Sequence, residues 1–429
     1  MRILVVTAYQ QLRPEAVSGF VMRQRLFIDA LTRIGAELHV LYFMHHDPLF
    51  GGGPDTLNGL EKLVRESWGG QVSVTLCRRA NANQPNRARG KGFSVRQFFK
   101  LPGYASLAHD VQRDAFEDAL MWNPDFVFVH RLVAMPPVLQ SRRPLPPIAF
   151  DLDDIESVAL RRRLFSAPFN WQHWPEWLHL PAIVAGEKLA FSLADLTFVC
   201  SPDDVAALSK RGISGEVISV PNAVPVPTTW RRSQLPNLLM LGSYGHWPNR
   251  SGIEYFVSKI WPVIHAAVPD ANLRVAGPGG DQLSFATAPP PGVTVCGYVD
   301  DLAKLYADSA IVICPIYSGS GTRVKLIEAA GYGIPAVSTK IGAEGLDFID
   351  GIEISIAHNA AEFAAKCVEL LLDSVKADAM AEAVRTAAET RYDREVVVMQ
   401  LADCFREFAS SSQTKARGNE SFYSFENVK

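Results

Sequence analysis

The residues of this chain whose types and spacing best suit chemistry lie between positions 313 and 335. An apolar run, Ile313-Cys314-Pro315-Ile316, passes into Tyr317-Ser318-Gly319-Ser320-Gly321-Thr322-Arg323. Val324-Lys325-Leu326-Ile327-Glu328-Ala329-Ala330-Gly331 then follows with helical apolar spacing. The pattern predicts a buried strand, a glycine turn and a helix beginning near Thr322. Glycines at 319 and 321 permit close backbone approach, and the unpaired amides of a first helical turn attract anions. Positions 321, 325 and 328 stand at i, i+4 and i+7, which places Gly321, Lys325 and Glu328 on one face. Amides, an ammonium and a carboxylate together suit a nucleoside diphosphate: the cation meets phosphate oxygens and the carboxylate meets vicinal ribose hydroxyls. The same residues also fit a glycine turn with a surface Lys–Glu pair worth roughly a few tenths of a kcal/mol.

The elements that must position this turn are strands alternating with helices, twice over. Continuous apolar runs predict strands at 2–7, 37–43, 72–77, 124–130, 147–152, 196–200 and 217–220, with a helix over 20–34. Pro221-Asn222-Ala223-Val224-Pro225-Val226-Pro227 breaks the pattern and reads as a linker. Strands then recur at 238–242, 272–276, 293–296, 310–314 and 335–339, with helices over 252–267, 322–331, 360–372, 377–390 and 394–408. Strands without polar alternation belong to sheets covered on both faces, so the fold class is α/β with two doubly wound Rossmann-like domains facing across a cleft. The expected division is 1–225, 226–392, a helix over 393–408 that packs back toward the first domain, and a disordered tail over 409–429. Ligands of such sheets bind beyond the strand C-terminal ends, which directs attention to the strand–helix loops.

Bulk properties narrow the function. A hydrophobic fraction of 48% with 20% charged residues is that of a soluble globular protein. The net charge of −3 argues against nucleic acid as a partner. No apolar run reaches the ~18 residues of a membrane span. The short Ile3-Leu4-Val5-Val6 run does not read as a signal peptide. Six scattered cysteines form no CxxC unit and point to free thiols in a reducing, cytoplasmic setting.

Several runs occur in an order that resembles glycosyltransferase family 4, a family of two-domain GT-B enzymes. Glu328-Ala329-Ala330-Gly331-Tyr332-Gly333-Ile334-Pro335-Ala336-Val337-Ser338-Thr339 is similar to its "EAMAxGxPVVxT" signature. Glu187-Lys188, Ala194-Asp195 and Val199-Cys200-Ser201 resemble its "E…AD…vS" stretch, and Val220-Pro221-Asn222-Ala223-Val224 its "vPNGV". Gly242-Ser243 with Trp247-Pro248-Asn249 is similar to one subgroup's "GS…PN", and Gly292-Val293 with Gly297-Tyr298-Val299-Asp300-Asp301-Leu302 to "V…G.v.D". The resemblance extends over about residues 1–373.

It implies transfer of a sugar from a nucleotide-sugar donor, with retention of configuration, to a saccharide or lipid-linked acceptor, in surface polysaccharide or glycolipid synthesis. The second domain would take the donor and the first the acceptor. Glu328 matches the second glutamate of the family's E-x7-E motif and would hold the ribose; the first glutamate falls at Ser320. Ser243 and Ser251 occupy the places of a basic pair, which leaves Arg323 and Lys325, ahead of Arg250, to neutralise diphosphate. Tyr298 and Val299 would border the nucleobase near the Gly277-Pro278-Gly279-Gly280 turn. In the first domain, Val17-Ser18-Gly19-Phe20 resembles the glycine loop facing the donor phosphates, with Arg23 one turn on; a plain helix start fits equally well. His130 ends a predicted strand, where a satisfied structural histidine is common, and it matches a family position that contacts donor or acceptor. Asp153 falls where many relatives have a histidine, within the acidic run Asp151-Leu152-Asp153-Asp154-Ile155-Glu156. Asp153 or Asp154 reads as an acceptor-hydroxyl binder and base. Helix capping by Asp154 with Arg161–Arg163 as counter-ions is the competing account. The implied route is front-face, with Lys325, Arg323 and helix amides carrying the developing charge. A metal held by the acidic run is a weaker alternative; the resemblance implies that no metal or cofactor is needed.

Arg78, Arg79, Arg87, Arg89, Lys91, Arg96 and Lys100 stand among Phe93, Phe98, Phe99 and Tyr104 with no acid between them. A similar mixture recurs over Arg161–Trp177. Such stretches fit peripheral contact with an anionic membrane, against a solvated loop and a packed hairpin as alternatives. A nicotinamide-type enzyme is disfavoured because Thr7-Ala8-Tyr9-Gln10 lacks the glycine turn. A non-catalytic sugar-nucleotide-binding subunit remains as the other class, supported by Ser320.

Overall fold

The computed structural model describes residues 1–8, 19–44, 61–62, 65–66, 72–78, 109–165, 177–211, 213, 215–319 and 321–423. They form two compact units: Met1–Val220 with Val398–Lys429, and Pro221–Val397.

In the first unit the chain runs β1 (Arg2–Thr7), α1 (Gly19–Arg33), β2 (Glu37–Met44), β3 (Ser73–Arg78), α2 (Asp110–Leu120), β4 (Phe126–His130), α3 (Pro136–Leu139), β5 (Ile148–Asp153), α4 (Glu156–Phe165), α5 (Leu180–Leu193), β6 (Leu196–Val199), α6 (Pro202–Ser209) and β7 (Glu216–Ser219). The strands are parallel in the order β3-β2-β1-β4-β5-β6-β7. Ile3-Leu4-Val5-Val6 of β1 and Phe126-Val127-Phe128-Val129 of β4 are at most 1% exposed, as strands at the centre of a doubly covered sheet must be. Each such side chain contributes about 1.5–3 kcal/mol by leaving water.

The second unit runs β8 (Asn237–Leu241), α7 (Trp247–Tyr255), α8 (Trp261–Ala267), β9 (Asn272–Ala276), β10 (Val293–Gly297), α9 (Leu302–Ala307), β11 (Ile311–Cys314), α10 (Val324–Gly331), β12 (Ala336–Thr339), β13 (Ser355–Ala357), α11 (Ala360–Leu372) and α12 (Ser374–Ala387). Its strands are parallel in the order β10-β9-β8-β11-β12-β13. A π turn over Phe256–Ile260 joins α7 to α8. Pro262 explains it, since its ring nitrogen cannot donate and displaces the regular ladder.

The final helix, α13 (Arg394–Tyr423), starts among second-unit residues and belongs to the first unit from Val398. Its Phe405 packs on Phe27, Phe126, Phe128 and Phe198 with ring centroids 5.5–6.2 Å apart. The expectation of a disordered tail from 409 is corrected as far as Tyr423. Gln413, Lys415, Ala416, Arg417 and Glu420 favour helix, and no proline stops propagation from the packed turns before them. Among the described residues, no helix is long and apolar enough to cross a membrane.

Strand order reverses between β1 and β4 in the first unit and between β8 and β11 in the second. Beyond the carboxyl ends of those strands lie the sites of such sheets.

Candidate functional site

In the second unit, β8 ends at Leu241 and a short loop leads to α7, while β11 ends at Cys314 and its loop leads to α10. Glycines let these connections close on one another. A Cβ on Gly252 of α7 would lie 2.2 Å from the Pro315 carbonyl oxygen, and one on Gly277 would lie 2.1 Å from that of Gly242. The loops after β8, β9 and β10 are also joined through their backbones. The Gly242 amide donates to Ala276 O (3.0 Å), the Tyr244 amide to Pro278 O (2.9 Å), and the Gly277 amide to Gly297 O (2.6 Å).

Onto this edge α10 brings Lys325 and Glu328. The Lys325 ammonium donates to Asn249 Oδ1 at 2.8 Å, and Asn249 Nδ2 donates to the Ser243 carbonyl at 2.9 Å. A Cβ on Gly242 would lie 2.9 Å from Lys325 Nζ, so a glycine here keeps the ammonium against the β8 loop. Glu328 Oε2 accepts from the Tyr306 hydroxyl at 3.1 Å. Burial raises the Glu328 carboxyl above its ordinary value, against the pull of Tyr306 and Lys325. Burial lowers Lys325, and Arg323 adds to this, while Glu328 works the other way. A bound diphosphate would reverse that lowering by supplying the missing negative charge.

The helix begins at Val324, not near Thr322. Gly319 (φ +110°) and Gly321 (φ +81°) hold the chain out of right-handed helix until then. Gly321 therefore does not share the helical face of Lys325 and Glu328; its carbonyl instead accepts from Arg323 Nη1 at 3.0 Å. Thr322 Oγ1 accepts from Asn222 Nδ2 at 2.6 Å, which explains the asparagine of the Pro221-Asn222 run. Arg250 is directed elsewhere, to the Gln282 carbonyl and, at 3.7 Å, to Glu254. Tyr298, just after β10, is 53% exposed, and Val299 packs partly onto the core. Ser320 lies outside the described residues. Asn249 and Tyr306 were not singled out by spacing. Asn249 had a signal in the Trp247-Pro248-Asn249 run, whereas Tyr306 had none, since no element was predicted over 302–307.

In the first unit, β4 and β5 end in a buried charge cluster. Arg23 is fully buried. Its Nε donates to both Asp151 oxygens (2.9 and 3.0 Å), its Nη2 to Asp151 Oδ1 (2.7 Å), and its Nη1 to the Val220 carbonyl (2.8 Å). The expectation that Arg23 meets donor phosphates is thereby corrected: its fork is matched to a carboxylate inside the unit. Burial opposes its charge, but Asp151 and Asp153 outweigh that and raise its pKa. Gly19 opens α1 and is exposed, and residues 9–18 before it lie outside the described residues.

His130 is fully buried, with Nδ1 3.2 Å from Thr7 Oγ1. Burial, with Arg131 and Arg23, pushes it down to about 3, so it is neutral and takes up no proton near neutrality. In this structure His130 is thus a neutral, buried partner of Thr7 at the end of β4, as an ordinary structural histidine is. Asp153 accepts from Cys200 Sγ at 3.0 Å and lies 3.4 Å from Arg131 and 3.6 Å from Arg23. Burial would raise it, but Arg131, Arg23 and the thiol hold it below the ordinary carboxylate value. Such a carboxylate accepts hydrogen bonds and is a weak base. Asp153 (φ +64°) and Arg131 (φ +68°) both sit in left-handed backbone, at about 1–3 kcal/mol each.

Asp154 is partly buried beside this cluster, and ligand atoms of Asp153, Asp154 and Cys200 lie within 4.8 Å of one another. Burial raises the Cys200 thiol well above its ordinary value, so it stands as a donor to Asp153. Helix α4 is capped by Glu187, which accepts from the Ser157 amide (2.8 Å) and hydroxyl (2.6 Å) and from Arg211 (2.9 Å). Asp195 accepts from the Ile148 amide at the start of β5, and Ser201 caps α6. The "E…AD…vS" residues thus anchor the elements that flank Asp153. Of the basic–aromatic stretches, 79–108 and 166–176 lie outside the described residues.

Residues 235–373 match the family described as Glycosyl transferases group 1. An uncharacterised 44.6 kDa protein in the cps region of Klebsiella pneumoniae is 24% identical over 200 residues, which are 42% of this chain and 50% of that protein. The chain spans about half the length of the curated relatives it matches. Sucrose-phosphate synthase from Thermosynechococcus elongatus superposes with a TM-score of 0.69 at 15% identity, over 96% of this chain and 99% of that one. Anabaena HepE in complex with UDP-glucose gives a TM-score of 0.59 at 14% identity, over 95% and 100%. Residues 235–373 are thus similar to the Glycosyl transferases group 1 family, and the chain as a whole has the GT-B fold.

Proposed function

We propose that this protein is a glycosyltransferase that moves a sugar from a nucleoside-diphosphate donor to a saccharide or lipid-linked acceptor, with retention of configuration, in surface polysaccharide or glycolipid synthesis. The observation that carries the reading is α10 at the β8/β11 edge, with Lys325 held by Asn249 and Glu328 held by Tyr306. The group 1 match over this unit supports it, as do the UDP-glucose in HepE and the cps-region relative.

In this reading Lys325, Arg323 and the amides around Gly319–Val324 neutralise the diphosphate, and Glu328 accepts from the ribose hydroxyls. Negative charge grows on the leaving phosphate oxygen as the glycosidic bond breaks, and the cations stabilise it. The same oxygen takes the acceptor proton as the acceptor attacks from the front face. Asp153 orients an acceptor hydroxyl without removing its proton. Tyr298 and Val299 border the base. The reading calls for no metal or cofactor, because side chains supply the positive charge. The stretch 78–104 supports peripheral contact with an anionic membrane.

A second reading, a non-catalytic sugar-nucleotide-binding subunit, is favoured by Ser320 standing in the place of the family's first glutamate. Nucleotide release from UDP-, GDP- and ADP-sugars, with glycan and lipid-linked acceptors, separates the two. Turnover is expected with one donor class and an α-configured product from an α-linked donor, and Lys325→Met should lower it about 100-fold. Nucleotide binding with no turnover on any pairing would favour the second reading, and a β-configured product would end the retaining assignment.

A further inference from the structure

Tyr306 lies on α9 with its side chain fully buried, and its hydroxyl points to Glu328 Oε2 at 3.1 Å. Its ring lies flat on that of Tyr332, with centroids 4.7 Å apart and planes 15° from parallel. Tyr332 is the residue that closes α10, so one helix carries both the carboxylate and the ring that fixes the phenol. Burial and the Glu328 charge push the Tyr306 phenol well above its ordinary value, which keeps it a donor. A glutamate carboxylate, which turns about three side-chain bonds, would otherwise sample several orientations. The bond to Oε2 favours the orientations that keep that oxygen on Tyr306.

We propose that Tyr306 is a positioning residue whose hydroxyl orients the Glu328 carboxylate toward a nucleotide ribose, so that the site selects a nucleoside diphosphate bearing both ribose hydroxyls over one lacking them. This rests on the nucleotide-binding reading above. The test is calorimetric titration of the full chain with UDP, GDP and ADP, each beside its 2′,3′-dideoxy counterpart. The proteins are the wild type, Tyr306→Phe, Glu328→Ala and the double variant, with folding followed by thermal melting.

For the nucleotide that binds, the wild type should prefer the ribose form by about tenfold or more, and Tyr306→Phe should cut that ratio roughly five- to tenfold. Affinity for the dideoxy form should stay unchanged. Glu328→Ala should abolish the preference, and adding Tyr306→Phe to it should change nothing further. Tyr332→Leu removes the stacked ring but keeps the hydroxyl, and should lower the ratio in the same direction; it serves if Tyr306→Phe does not fold. An unchanged ratio in Tyr306→Phe or in Tyr332→Leu, or an equal loss for both ligands, overturns the positioning role. A wild-type ratio kept by Glu328→Ala would instead overturn the nucleotide site itself.

Discussion

An ammonium held among buried groups loses hydration, and Lys325 is accordingly pushed down by burial from its ordinary value. Asn249 offsets this with a carbonyl oxygen, a neutral acceptor that leaves the positive charge available to a ligand. An aspartate there would form an ion pair and cancel it. Removing the acceptor by Asn249→Ala should therefore weaken nucleoside diphosphate binding about tenfold, the scale of one hydrogen bond to a charged group, while leaving affinity for the bare nucleoside unchanged in calorimetry. Spacing alone gave Lys325 and Glu328, because both stand on one helix. Their partners were hidden for a physical reason: Asn249 is 76 residues from Lys325 and Tyr306 is 22 from Glu328. Only the folding of β8 beside β11 joins the first pair. The partner of Arg23 is hidden for the same reason, since its carboxylate is 128 residues away.

Among the elements, the tight contact between α7 and the loop after β11 decides how the site is built. Gly252 faces the Pro315 carbonyl so closely that any side chain must push them apart. Gly252→Ala should cost about 1–3 kcal/mol of stability, read as a lower melting temperature, and should also weaken nucleotide binding because α7 carries Asn249. An unchanged melting temperature would show that the helix is not clamped there. The strands of both sheets were legible because each is a continuous apolar run buried on both faces. Ser355–Ala357 was not, since three residues are too few to show a period. The helix α10 starts two residues later than spacing predicts, because positive φ at Gly319 and Gly321 does not show in spacing.

At the scale of the molecule, each unit has its own sheet and core, and the buried charge cluster belongs to the first. His130 titrates at about 3 there, against 6.5 for an ordinary histidine, so between those values the unfolded chain binds a proton that the folded unit does not. Stability contributed in this way is full above pH 6.5 and falls as the solution is acidified. Between pH 7 and pH 5 the loss should be about 2 kcal/mol. Chemical denaturation of the wild type and His130→Gln at both pH values should show the substituted protein losing less, while equal losses would mean that His130 is not held neutral. The doubly wound class of both halves was legible in their alternation of strands and helices. Which loops meet at each edge depends on strand order, which the one-dimensional pattern does not contain.

The central claim is that the second unit binds a nucleoside diphosphate through α10. Isothermal titration of the purified chain with UDP, GDP, ADP and CMP, with Glu328→Ala in parallel, tests it most directly. One diphosphate should bind at micromolar strength, and Glu328→Ala should weaken it at least tenfold without unfolding the protein. Folded protein that binds none of them, or binds one equally well without Glu328, would contradict the account.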